Sequence, residues 1–446
     1  MVESIMNQDH DHDRIVSMQL TARMPFLPIV IQCVETAAGV FGLGREESLK
    51  LGLATEEIFS YLSERGCRGE IIDVRCMNGI SYVRVELHFP LSELDMGSLN
   101  IASSVNCENE DNMAQMGLAL ASRSIDRLNI IAERKNRICL LIEKDKAYPT
   151  VPEAAVAPVE IRGALTVGTP DPEGVKLYVT RVAQGPPDPL RPSFFQYPGQ
   201  VVDMVAAGDC QVLTVTDSRG ECAGGLLFHY WKPTIVEVLG PHVFEQAREG
   251  EIEGMLLEDC IAKTARSKAI ALLNLTGMSV SLQSQFEYLG FTKSYSHDGT
   301  VVEKPAFYRL LNEDPGCRIF TDMVLKDYLQ REYDRLFLAR EIQEIHDQGE
   351  TKAGASIFST DMLRERSLAI LNPLWPGVDL DANVRRHIQF LRDEKINNIF
   401  FYIDLGVSWQ ASLIPILLDN NFRTAFVAPF AGQADLLVFQ YDRTES

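Results

Sequence analysis

Apolar and polar residues alternate with two different periods along the chain, and each change of period marks an element. From Leu27 to Leu43 and from Arg45 to Glu64 the apolar positions recur every three to four residues, which predicts two amphipathic helices joined by Gly42 and Gly44. The period falls to two over Glu70 to Met77 and Ile80 to Phe89, and the Asn78-Gly79 pair between them predicts a tight antiparallel hairpin. A polar stretch from Ser92 to Asn112 leads to helical spacing over Met116 to Leu128, then to a second hairpin turning at Arg134-Lys135-Asn136. Beyond residue 200, Gln211 to Val215, Gly224 to Tyr230 and Thr234 to Leu239 read as successive strands. Arg318 to His346 reads as one helix with Phe320, Val324, Leu325, Tyr328, Leu329, Leu336 and Phe337 on its apolar side.

Between Ala147 and Gly174 five prolines (Pro149, Pro152, Pro158, Pro170 and Pro172) interrupt any regular element, which predicts a linker. After it the chain repeats itself with a period near 131 residues. Leu239-Gly240-Pro241 matches Leu371-Asn372-Pro373, Leu273-Asn274-Leu275 matches Ile403-Asp404-Leu405, and Leu289-Gly290-Phe291 matches Asn420-Asn421-Phe422. Helical segments fall between these anchors in both copies: Glu251 to Ser267 and Ser279 to Tyr288 in the first, Asn383 to Lys395 and Trp409 to Asp419 in the second. A strand, helix and strand at this spacing predict a parallel pair with a right-handed crossover.

Length and charge narrow the classes. A chain of 446 residues is too long for one ordinary core, and three domains are expected. The formal charge of -20, from 62 acidic and 42 basic residues with no basic patch, argues against nucleic acid and anionic lipid as partners. Nine scattered cysteines without a CxxC pair fit a reducing compartment. No apolar run approaches a membrane span. The first residues, including Asp9-His10-Asp11-His12-Asp13, read as a mobile polar leader rather than a signal peptide, so a cytoplasmic location is expected.

Two family resemblances rest on particular residues. Leu53-Ala54-Thr55-Glu56-Glu57-Ile58-Phe59-Ser60-Tyr61, with Met116-Gly117-Leu118-Ala119-Leu120 and Asp126-Arg127-Leu128, resembles two blocks of the histidine-kinase-like ATPases, and within them the anti-sigma-factor serine kinases. The resemblance covers residues 20 to 146. It implies ATP as cofactor, Glu57 as catalytic acid-position residue, and Glu57, Tyr61, Gln115 and Gly117 around the nucleotide. The chain departs from that pattern in three places. Tyr61 stands where an asparagine would hold magnesium, and a phenol is a poor ligand for that hard cation. His88-Phe89-Pro90-Leu91 lacks the acid that reads adenine, and Gln115 replaces a glycine of the phosphate-cradling turn.

Phe286-Glu287-Tyr288-Leu289-Gly290-Phe291 resembles the end of the last helix in the GNAT-type N-acyltransferases, over residues 175 to 311 and again over 318 to 443. The resemblance implies acetyl-CoA as cofactor, held by backbone N–H groups where a loop enters a helix. The nearest text is Arg248-Glu249-Gly250-Glu251-Ile252-Glu253-Gly254, so Arg248, Gly250 and Gly254 are the candidate cofactor-binding residues, although three glutamates crowd it. Neither Phe286 nor Leu417, at the position of the family's tyrosine, can donate a proton. Glu237, with His229 and His242 close by in sequence, is the candidate base.

The expected architecture is α+β. A leader (1–19), a two-layer α/β sandwich of the histidine-kinase-like ATPase type (20–146) and a linker (147–174) precede two tandem GNAT-like α/β domains (175–315 and 316–446). The expected role is a bacterial regulator with degenerate catalysis, whose partner is a protein such as a sigma factor or an anti-sigma antagonist, and in which magnesium is not expected. The alternatives are an acyl-CoA-dependent N-acetyltransferase and an active anti-sigma serine/threonine kinase.

Overall fold

The computed structural model describes residues 14–90, 100–102, 124–133, 137–151, 160–185, 191–296, 299–345 and 354–443. In chain order, the first elements are β1 (Ile15–Thr21), α1 (Leu27–Val40), α2 (Arg45–Tyr61), β2 (Ile71–Asn78), β3 (Tyr82–Pro90), β4 (Arg127–Glu133) and β5 (Arg137–Asp145). Then come β6 (Thr166–Gly168), α3 (Pro172–Ala183), α4 (Pro198–Ala207), β7 (Gln211–Thr216), β8 (Cys222–Lys232) and β9 (Ile235–Val243). They are followed by α5 (Glu249–Thr264), β10 (Ala271–Asn274), α6 (Val280–Gln283), β11 (Glu287–Tyr295) and β12 (Val301–Leu310). The remainder is β13 (Cys317–Thr321), α7 (Met323–Leu336), β14 (Arg340–Glu344), β15 (Ile357–Leu363), β16 (Leu368–Trp375), α8 (Leu380–Asp393), β17 (Asn398–Asp404), α9 (Ser408–Ala411), α10 (Leu413–Asp419), β18 (Phe422–Ala428) and β19 (Leu436–Tyr441).

The chain divides into two compact units, one of Met1–Ala147 with Asp347–Tyr402 and the other of Tyr148–His346 with Ile403–Ser446. In the first unit an antiparallel sheet has the order β1-β2-β3-β5-β4. Strand alternation sends Ile72, Val74, Val85 and Leu87 to one side, where they share a core with Val34, Leu51 and Ile58 of α1 and α2. The opposite face carries Asp73, Glu86, His88 and Cys139. Ile357 of β15 joins the same core, and Leu374 and Trp375 pack against it.

In the second unit a seven-stranded sheet runs β11-β12-β10-β9-β8-β7-β6. Only β9 and β10 are parallel in it, linked by α5 as the crossover. One core lies between the sheet and α5, with Val236, Val238, Ile252, Leu256 and Leu272. A second lies under α3 and α4, with Val175, Tyr178, Val179 and Val201.

Several sequence expectations are corrected. β1 begins at Ile15, inside the stretch read as leader, and its short alternation is recruited by seven paired residues of β2. The Asp-His run lies outside the described residues. β6 and the start of α3 occupy the expected linker: Pro172 takes the first helical turn, where a missing N–H costs nothing, and Asp171 caps it by accepting the Gly174 N–H. Of the helix expected over Met116 to Leu128, residues 116–123 lie outside the described residues. Arg127 and Leu128 are strand, because Leu128 and Ile130 alternate inward beside β5. The expected helix over Arg318 to His346 is helical only in α7, which Asp322 caps and Phe337 ends at positive φ. Its flanks form the parallel pair β13 and β14.

The helix expected over Ser279 to Tyr288 shrinks to α6, and Leu289-Gly290-Phe291 is part of β11. Gly290 sits at a register shift with φ +149, and a Cβ there would lie 2.3 Å from the Ala425 carbonyl oxygen. It marks a close backbone approach in a strand, not a helix terminus. The repeat anchors at Leu239 and Leu371 fall in β9 and β16, and each of these strands pairs in parallel with the strand that follows its crossover helix, β10 and β17.

Candidate functional site

β9 and β10 pair only from Ile235–Glu237 to Ala271–Leu273 and then part. Two exposed rows of backbone groups would result, and Asn274 covers part of one. Its buried side-chain amide donates to the carbonyls of Val238 at 3.0 Å and Gly240 at 3.3 Å. Past this point β9 turns at Gly240, whose bond to Pro241 is cis, and its register with β8 shifts. A cavity of about 190 Å³ opens where the strands have separated, lined by Arg191, Phe195, Gly240, His242, Thr276 and Gly277 among others.

His242 has a built setting. Its Nδ1 lies 2.9 Å from the Tyr178 hydroxyl, and its ring packs against Tyr178 and Phe195 with centroids 5.9 and 5.6 Å away. Tyr178 comes from α3 and is wholly buried; burial holds its phenol well above its ordinary pKa, so it stays protonated. It fits because β8 has a glycine beneath it. A Cβ on Gly225 would stand 2.5 Å from the ring.

Glu237 lies on β9 across from His229 and pairs with it at 3.1 Å. Burial opposes the charged form of His229, yet the hydrogen bond it donates to Glu237 and the charge of that carboxylate hold the imidazole above its usual pKa. Glu237 is therefore engaged with His229, whereas His242 lines the cavity itself.

At the start of α5, Arg248 is committed to Glu251, with Nε and Nη2 at 2.8 Å from its two oxygens, and its Nη1 donates to the Gly163 carbonyl. Glu249 and Glu251 fill the first turn, where an anion would otherwise be welcome. A Cβ on Gly250 or Gly254 would meet nothing within 4 Å, so packing within the chain does not require either glycine. Phe286 and Leu417 are buried in their cores.

In the first unit, Glu57 is half-buried on α2, where desolvation and then Glu56 raise its pKa. Tyr61 is buried in the core one turn later. Gln115 and Gly117 lie outside the described residues. The outer face of the sheet brings together groups that sequence reading missed: Glu86 and His88 from β3, Cys139 from β5 and Glu133 from β4. The Glu86 hydrogen bond, with Glu133 beyond it, holds His88 above its usual pKa even though burial opposes this. Burial, with Glu86 and Glu133 behind it, pushes the Cys139 thiol up to about 12. The Glu86-x-His88 alternation was the available signal, but its partners become visible only once the register places Cys139 opposite His88.

No family model matches the chain, and no curated protein matches it. Among solved structures, an N-acetyltransferase from Staphylococcus aureus Mu50 aligns over 34% of this chain and 100% of its own length at 14% identity, with a TM-score of 0.28. A GNAT superfamily phosphinothricin acetyltransferase from Sinorhizobium meliloti, in complex with acetyl-CoA, aligns over 33% of this chain and 89% of its own length at 15% identity, with a TM-score of 0.27. A likeness at this level carries no argument about function; only the chain's own strands and side chains do. Among the described residues, no helix is long and apolar enough to cross a membrane.

Proposed function

We propose that the seven-stranded domain is an N-acyltransferase-type module that binds an acyl thioester by a pantetheine-like arm in the cleft between β9 and β10. The observation that carries this reading is the parting of that parallel pair over a cavity with a half-buried, phenol-supported histidine at its wall. Separated strands present backbone donors and acceptors, and an arm containing amides can pair with them as a short added strand. In the transfer step, an amine nitrogen attacks the thioester carbonyl carbon; the C–N bond forms and the C–S bond breaks. His242, on the cavity wall beside the protonated Tyr178 hydroxyl, is the group placed to take the amine proton and pass it to the leaving thiolate.

The acidic start of α5 favours an arm without a diphosphate over intact acetyl-CoA. Calorimetric titration of the full chain with acetyl-pantetheine and with acetyl-CoA tests this. Saturable heat is expected for both, with acetyl-CoA no tighter than the shorter thioester, and Thr276→Trp should abolish it by filling the cavity. No saturable heat with either ligand at millimolar concentration would overturn the reading and favour a cleft used for protein contact.

The run from β15 to β19 is, on the same proposal, a second copy of this unit, supported by the matching of the repeat anchors to strands of equivalent order. For the N-terminal part, the sequence of two helices, hairpin and hairpin on one sheet supports an anti-sigma-factor-type module acting through a protein partner. Magnesium-dependent ATP turnover by the full chain would count against the non-catalytic form of that reading.

A further inference from the structure

We propose that the outer face of the first unit's sheet carries a transition-metal site, with His88 Nε2, Cys139 Sγ and a Glu86 carboxylate oxygen as ligands and zinc as the ion the donor set fits best. Glu86 and His88 stand two residues apart on β3, hence on one face, and Cys139 faces His88 across the β3–β5 ladder. Cys139 Sγ lies 3.8 Å from His88 Nε2, and Glu86 Oε2 lies 3.2 Å from the same nitrogen. All three ligand atoms fall within 4.8 Å of one another. Zinc bonds of about 2.0 to 2.3 Å at tetrahedral angles set ligand atoms roughly 3.4 to 3.6 Å apart. The two edges at the imidazole nitrogen therefore need adjustments of only tenths of an ångström.

The other imidazole nitrogen is already occupied in the way a metal ligand requires. His88 Nδ1 lies 2.9 Å from Glu133 Oε1, a carboxylate placed to keep the N–H on that nitrogen when a metal displaces the Nε2 proton shared with Glu86. The arginines nearby orient the carboxylates without filling this point. Arg84 approaches the far oxygen of Glu86 at 3.8 Å, and Arg137 approaches the far oxygen of Glu133 at 3.8 Å while binding Asp73 at 2.7 Å. Arg75, exposed and across from Glu86 on β2, adds a positive charge that acts on Glu86 and Cys139 and favours their anionic forms. Imidazole and thiolate together select zinc or cobalt over magnesium and calcium, and three protein ligands leave a fourth position for water. Cys139 enters as the thiolate, its proton passing to solvent. Glu133 is a positioning residue.

The test is a titration of the full chain, stripped with EDTA, first with Co²⁺ and then with Zn²⁺. One equivalent of cobalt should give a near-ultraviolet thiolate-to-cobalt charge-transfer band, and zinc should displace it. Cys139→Ser should remove the band while the other eight cysteines stay in place. Glu133→Gln should keep the band but weaken affinity about 10- to 100-fold. A wild-type chain without the band, or a band unchanged in Cys139→Ser, would overturn the proposal. A second measurement needs no variant: one equivalent of zinc should raise the wild-type unfolding temperature and EDTA should reverse the shift. Indifference to both would also overturn it.

Discussion

Two polar clusters in this chain, one in each unit, differ in how completely their hydrogen-bonding capacity is used. Arg340 and Asp435 are wholly shielded from solvent, and Asp314 nearly so. The guanidinium donates to both oxygens of Asp435, at 2.6 and 3.2 Å, and to both of Asp314, at 3.0 and 2.8 Å. Backbone N–H groups of Phe430, Gly316 and Ala339 donate to the same carboxylates, and Phe430 and Tyr333 lie over the cation. Each guanidinium nitrogen of Arg340 has a carboxylate acceptor, which is how a structural ion cluster tolerates burial. Around His88, by contrast, an imidazole nitrogen, the Cys139 sulfur and a Glu86 carboxylate oxygen converge on one spot. The first cluster closes on itself, and the second is arranged around something it could hold.

The largest effect should come from opening the closed cluster. Arg340→Met leaves two buried carboxylates unpaired and should destabilise the chain by about 3 to 5 kcal/mol in urea unfolding. A loss below about 1 kcal/mol would put it on a level with surface ion pairs and erase the contrast. The next prediction concerns a histidine that, unlike His88, has no carboxylate hydrogen-bonded to its ring among the described residues. His387 is wholly buried on α8 against Phe358, its Nδ1 donating to the Asn383 carbonyl, and burial drops its pKa from 6.5 to about 4. The unfolded chain then binds this proton first as pH falls. Stability is full above about pH 6.5 and declines towards pH 4, by about 3 kcal/mol from this residue. Comparing the pH dependence of urea unfolding in wild type and His387→Gln should show the variant losing that slope; parallel curves would contradict it.

Gly225→Ala should cost about 1 to 3 kcal/mol by pressing a methyl into the Tyr178 ring, and should weaken thioester binding by displacing His242. Retained affinity would separate the histidine from the cleft. The smallest effect is expected for Glu86→Gln in metal-free protein, below about 1 kcal/mol by thermal or urea unfolding. A loss as large as that of Arg340→Met would mean that the His88 cluster is structural after all.

The elements that reveal themselves in the sequence are those whose local chemistry and tertiary setting agree. Asn78-Gly79 turns a hairpin because both its strands alternate, and α2 is amphipathic over its whole length. Leu289-Gly290-Phe291 was misleading because a glycine after an apolar residue is common to helix ends and to strands crowded by another backbone, and only the Ala425 contact distinguishes them. Thr166–Gly168 reads as linker because three residues beside prolines become a strand only when β7 offers a partner. The candidate cleft was half legible: His242 stood near Glu237 in the sequence, but the Tyr178 that supports it comes from a helix 64 residues earlier. The His88 cluster depends on register between strands 51 residues apart, and no single-strand pattern encodes that.

The interleaving of the two units has a consequence for how the protein is made. The chain leaves the first unit after Ala147 and returns to it only at Asp347, yet Ile357, Leu374 and Trp375 belong with the core laid down by the earliest helices and strands. At translation rates of ~5–20 residues per second, that early core waits on the order of tens of seconds for its last apolar side chains to leave the ribosome. During that interval the nascent chain presents an unfinished apolar surface. A ribosome-bound fragment ending near residue 147 should therefore recruit chaperones that the completed protein no longer needs.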